Sequence, residues 1–154
     1  MAITIPQPQT MVSAETFGQP VAQQVNLLLA PYVSTNLVPS GFSISSQQSW
    51  LKHVGYDVIV LAKFILSSGT IAAASFGLPI PAATDCMRPF GQGAFLQSGS
   101  RWWGAMGIGD AVSGSVSFTD SAGAFINSTF PFAWKATDEI HMRLAYKSAS
   151  PKLS

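Results

Sequence analysis

Few side chains in this sequence can do chemistry, and their spacing narrows what that chemistry is. There are two histidines, His53 and His141. A metal pair of His53 with Asp57 would need both on one strand face, and Gly55 between them invites a bend. His141 alternates with Glu139 and Arg143, the pattern of a solvated strand face rather than of a ligand set. Asp138 and Glu139 are adjacent, so in an extended segment their carboxylates diverge and cannot share acid–base work across a substrate. Cys86 is the single cysteine, which excludes an intrachain disulfide and a Cys-based zinc site. With Arg88 its only basic neighbour, a passive thiol is expected. Ser113-Gly114-Ser115 lies in a strand pattern, not in a nucleophile elbow. Gly107-Ile108-Gly109-Asp110-Ala111-Val112 lacks the third glycine and the following helix of a nucleotide loop, so it reads as a hairpin turn. The expectation is a protein that is not an enzyme, with no catalytic residue, no cofactor and no metal.

The aromatic residues carry more information. Trp102 and Trp103 are neighbours in a strand pattern and must point to opposite faces. One belongs to the core; the other is exposed unless a subunit covers it. Beside Arg101 they form the usual composition of an interface anchor. The same group suits a surface that stacks a sugar ring. Arg101, Trp102 and Trp103 are therefore candidates for a subunit contact, with glycan binding second. Trp134 is expected in the core or at a subunit seam, and Trp50 is placed to clamp the preceding segment.

The elements that would position these residues are strands. The chain has 154 residues, 47% hydrophobic and 10% charged, with a net charge of +1. That is too apolar for disorder, and too weakly and diffusely basic for nucleic-acid binding by phosphate neutralisation. The longest apolar run, Val58 to Leu66, is short and contains Lys63, so no segment spans a bilayer as a helix. Met1 to Pro6 lacks the basic start of a secretory signal. Without one, the sequon Asn127-Ser128-Thr129 is taken as chance.

The first 49 residues carry one charge, Glu15. Residues 1–40 read as an attachment arm that packs on another subunit or protein, with folding back on its own domain as the alternative. Within it Pro20 starts, and Pro31 stops, a short helix whose Val21, Val25, Leu28 and Leu29 recur at helical spacing for docking. Residues 41–154 read as the domain. Asp57 to Leu66 is the strongest strand, with both faces largely covered. Ser67-Ser68-Gly69 is a turn, and Gly91 and Gly93 separate short strands. Val112, Val116 and Phe118 share an inward face. In the last strand Ile140, Met142, Leu144 and Tyr146 face in, while Glu139, His141, Arg143 and Lys147 face out. About eight short strands with regular turn signals predict an all-β, antiparallel sandwich, for which a jelly roll is one arrangement.

Several motifs in this order resemble the C-terminal domains of tailed-bacteriophage virion proteins. They are Val54-Gly55-Tyr56-Asp57-Val58-Ile59-Val60, Leu78-Pro79-Ile80-Pro81, the strand at Gly114 to Phe118, and Phe130-Pro131-Phe132-Ala133-Trp134 before the last strand. Val12 to Gly18 is similar to the opening of small actinobacteriophage tail proteins. The resemblance spans residues 12–147 and rests on short motifs that serve folding. It implies a trimeric jelly roll related to the tumour necrosis factor fold, on the exterior of a phage particle made in the host cytoplasm. The implied partners are other copies of the chain, virion proteins held through the arm, and a glycan of the bacterial envelope. A minor tail or tail-tip protein is expected first and a capsid decoration protein second. A carbohydrate-binding module outside a virion is the remote alternative. The chain departs from long fibres in having no heptad shaft.

Overall fold

The computed structural model describes residues 31–85 and 88–152. The candidate arm helix with Val21, Val25, Leu28 and Leu29 lies outside them, as does Cys86. Among the described residues the protein is all-β, every pairing between named strands is antiparallel, and no helix occurs.

The strands are β1 (Val33–Ser34), β2 (Pro39–Gly77), β3 (Phe90–Leu96), β4 (Trp102–Asp110), β5 (Ser115–Asp120) and β6 (Glu139–Lys152). They form one six-stranded sheet in the order β1-β2-β5-β4-β3-β6, and β2 also pairs with β6. The strands β2, β6, β3, β4 and β5 thus close on themselves as a five-stranded barrel-like ring.

Closure depends on the length of β2. Drawn straight, 39 residues would reach about 130 Å, so the strand must turn. It bends at Gly55, whose φ of +55° lies in the left-handed region that favours glycine. There the register against β6 also shifts, between Gly55 and Asp57. The first part of β2 packs against the second. Ser45 Oγ donates to the Ile65 carbonyl, and the Phe42 ring meets Phe64 edge-on at 5.5 Å. The far end of β2, Ser75 to Gly77, pairs with β5 and completes the ring.

The inward positions of β2 and β6 follow the alternation in the sequence. Val58, Val60, Phe64 and Leu66 are buried against Ile140, Leu144 and Tyr146. Phe42, Phe64, Phe76 and Phe118 form one aromatic cluster in the core. Phe95, Trp134 and Phe132 form a second. Trp134 is 5% exposed and donates from Nε1 to the Phe130 carbonyl.

Four expectations need correction. Among the described residues six strands stand where about eight were expected, because β2 runs unbroken through the supposed turn at Ser67-Ser68-Gly69. Gly69 is there for close approach: a Cβ at this position would sit 2.0 Å from the Trp134 carbonyl oxygen. Gly91 and Gly93 likewise lie inside β3, where a Cβ would strike the β6 backbone. The odd-numbered residues of Asp57 to Leu66 are half-buried, so that strand has one core face, not two. Val112, expected inward, is 86% exposed, because Asp110 Oδ1 accepts its N–H and curls residues 111–114 into the β4–β5 turn.

Residues 31–40, the end of the expected arm, pack onto the domain. Val33 and Ser34 pair with Leu51 and Trp50, and Leu37 is 2% exposed in the core. The Lys52 ammonium lies 5.2 Å from the Tyr32 ring centroid.

Candidate functional site

Most of the polar side chains considered for chemistry hold the fold. Asp138 is buried and accepts two backbone N–H groups, from Ser98 at 2.8 Å and Lys135 at 2.7 Å. Asp120 Oδ1 accepts the N–H groups of Ala122 and Ala124 in the loop after β5. Asn127, in the sequon, accepts from Thr129 and Phe130 as an Asx turn. His53 and Asp57 take different partners: His53 Nε2 lies 3.0 Å from Ser148 Oγ, and Asp57 pairs with Lys147 at 2.6 Å. No cluster of three or more metal-ligating side chains occurs among the described residues.

The three residues named as a surface anchor separate. Trp103 turns inward, half-buried, with its ring 5.8 Å from Phe132. The Arg101 guanidinium stacks 4.1 Å over that ring. Trp102 points the other way and is 57% exposed. One tryptophan in and one out is the division that strand geometry requires, but Arg101 accompanies the inner one.

Trp102 instead joins an outer-face group that sequence reasoning did not assemble. Its ring meets the His141 imidazole edge-to-face at 5.1 Å. Register explains the rest. Lys63 is opposite His141, His141 is opposite Ala94, and Ala94 is opposite Gly104, a row crossing four strands on one face. Glu139 Oε2 ties this row together, 2.6 Å from His141 Nε2 and 3.0 Å from Lys63 Nζ. Burial works to raise the Glu139 carboxyl, but the hydrogen bonds and positive charge of His141 and Lys63 outweigh it. The group ends below its ordinary value and stays a carboxylate.

Trp102 and Trp50 both line an open groove of about 460 Å³ over this row, with Gln92, His141 and Arg143 along it. The outward charges of β6 were legible as a solvated face. That His141 and Arg143 line one groove with two tryptophans was not, because the pairing partners lie in other parts of the chain.

Comparison with known proteins returns no match: no family model, no curated protein and no solved structure is significantly similar to the chain. No helix among the described residues is long and apolar enough to cross a membrane.

Proposed function

We propose that the protein is a non-enzymatic structural and adhesion component of a bacteriophage particle, exposed on its exterior as a homotrimer. The jelly-roll wrapping expected from the sequence belongs to this reading, with the long bent β2 supplying more than one of its strands. One observation carries the self-association: an apolar row on the outward side of the sheet. Ile59 is opposite Ala145, Ala145 is opposite Phe90, and Phe90 is opposite Ile108. Phe90 and Ala145 are exposed. A contiguous apolar row on a chain this poor in charge supports burial by symmetric copies. The motif resemblance supports the particle, with the tail tip first. A capsid decoration role is the second reading.

Light scattering on the full-length protein tests the assembly, and a trimer mass is expected. Phe90→Asp should shift it toward monomer while thermal unfolding shows a folded domain. A monomer mass for the unmodified protein at micromolar concentration rejects the reading. Mass spectrometry of purified tails and emptied heads then separates the two locations.

A further inference from the structure

The geometry points to the groove between Trp50 and Trp102 as a binding site for a saccharide that carries an anionic group, a carboxylate or a phosphate. The inference adds a ligand to the adhesive role and rests on that role only for the biological source of the sugar.

Two indoles and a largely apolar floor of Leu61, Ala62, Ala94 and Met142 line the groove, and Gln92, His141 and Arg143 add polar groups. Trp50 and Trp102 are exposed large apolar side chains bounding one concavity. Ala94 and Gly104 lie in the cross-strand row beside Trp102, so little side-chain bulk fills the space next to the indole. A Cβ added at Gly104 would meet only the Ser121 side chain. The volume of about 460 Å³ falls in the range of small-ligand sites, roughly 300–1,000 Å³. A ligand that fits needs flat apolar faces for indole contact and a polar perimeter for hydrogen bonding, which describes a pyranose ring.

Charge selects among sugars. Glu139 is already engaged by His141 and Lys63, which fixes those two side chains along the groove. Arg143 lines the same groove, is exposed, and has no carboxylate partner among the described residues. Lys63 and Arg143 against Glu139 leave an excess of positive charge. A guanidinium with open donors recognises a planar carboxylate or a phosphate in a bidentate way. A nucleic-acid strand would also stack on indoles. It needs a basic track along its backbone, however, and eight Lys and Arg spread over 154 residues do not supply one.

The apolar row at Ile59 and Phe90 lies farther along the same strands than Lys63 and Ala94, about 13 Å away at strand rise. Copies can therefore meet at one end of the face while the groove stays open at the other.

The test is a titration of the full-length protein, followed by tryptophan fluorescence and calorimetry. The probes are trigalacturonate, a neutral trigalactoside, mannose 6-phosphate, mannose and a short oligothymidylate. The acidic sugars are expected to bind roughly tenfold more tightly than their neutral counterparts. Arg143→Gln should remove that difference, and Trp102→Ala should weaken acidic and neutral sugars alike. Ala94→Leu, which fills the trough without touching the core, should block binding while thermal unfolding is unchanged. Comparing trigalacturonate with mannose 6-phosphate distinguishes the carboxylate source from the phosphate source. Equal binding of acidic and neutral sugars, binding unaffected by both Trp102→Ala and Ala94→Leu, no sugar binding at millimolar concentration, or tighter binding of the oligothymidylate would each overturn the site. Conversion of the trimer to monomer by Trp102→Ala would also overturn it, by making the groove a copy contact. The trimer and particle measurements above use neither sugar nor groove variants, so the two readings fail separately.

Discussion

Asp138 Oδ1 accepts the backbone N–H of Ser98 at 2.8 Å, fastening the turn between β3 and β4 to the residue that precedes β6. Its second oxygen caps Lys135. The adjacent Glu139 points the other way, to Lys63 on the outer face. Neighbouring carboxylates thus divide between a buried fastening and a surface network. Asp138→Ala leaves two backbone donors without their acceptor and should cost about 2–4 kcal/mol, read as a drop in the urea midpoint. A change under about 0.5 kcal/mol would show that water replaces the carboxylate there.

Three of the four tryptophans should separate by position. Trp134 lies in the core against Phe95 and Phe132, so Trp134→Ala should lose about 3–5 kcal/mol. Trp102→Ala removes a ring mostly in solvent and should cost less than about 1 kcal/mol. Trp103→Ala should fall between them, because its ring is half-buried between Arg101 and Phe132. Thermal unfolding of the three variants gives the order, and a large loss at Trp102 would place that ring in an interface.

Stability should decline in alkali through one residue. Burial pushes the Tyr146 hydroxyl from its ordinary 10.0 up to about 12, and the proton it keeps is donated to the Ile80 carbonyl. The unfolded chain ionises first. Stability is therefore full below about pH 10 and is lost as pH rises toward 12, by roughly 2 kcal/mol. Tyr146→Phe should flatten that part of the curve in denaturant titrations at several pH values. A slope unchanged by the substitution would assign the loss to other groups.

Truncation should reveal where the domain begins. Removing residues 1–30 should leave a cooperatively unfolding domain. Removing residues 1–40 takes Leu37 out of the core and β1 off the sheet, and should cost about 2–5 kcal/mol more. Circular dichroism melts of the two truncations make the comparison. Equal melting temperatures would mean that β1 and Leu37 contribute little.

Two glycines offer a contrast. Gly93→Ala drives a Cβ to 1.9 Å from the His141 carbonyl and should destabilise by roughly 3 kcal/mol or more. At Gly99 nothing lies within 4 Å, and the only penalty is a φ of +73°, about 1–2 kcal/mol. A reversed order would mean that β3 and β6 can separate at Gly93 without loss.

The sequence disclosed what depends on alternation alone. Ile140, Met142, Leu144 and Tyr146 share the inward face of β6 as their spacing demands, and the strand geometry at Trp102-Trp103 divides the two rings. Glycine was the main source of error. In a sequence, Gly69, Gly91 and Gly93 look like turn residues, yet each sits in a strand where a neighbouring backbone leaves no room for a Cβ. That crowding is created by residues far along the chain, so local pattern cannot report it. The groove was hidden for the same reason. Trp50, Lys63, Trp102 and His141 come from four strand segments and meet only through register.

The principal pairing partner of β2 is also the last strand in order, and Asp57 and Lys147, which join them, lie 90 positions apart. At ribosomal speeds of about 5–20 residues per second, the apolar edge of β2 waits roughly 5–20 s for its mate. During that interval it is a template for any other nascent copy. Lys63, placed in mid-strand at the cost of a continuous apolar surface, then serves as a gatekeeper charge before it serves as a neighbour of Glu139. Fast synthesis at high copy number is thus the condition under which this barrel is most exposed to aggregation, before any question of its folded stability arises.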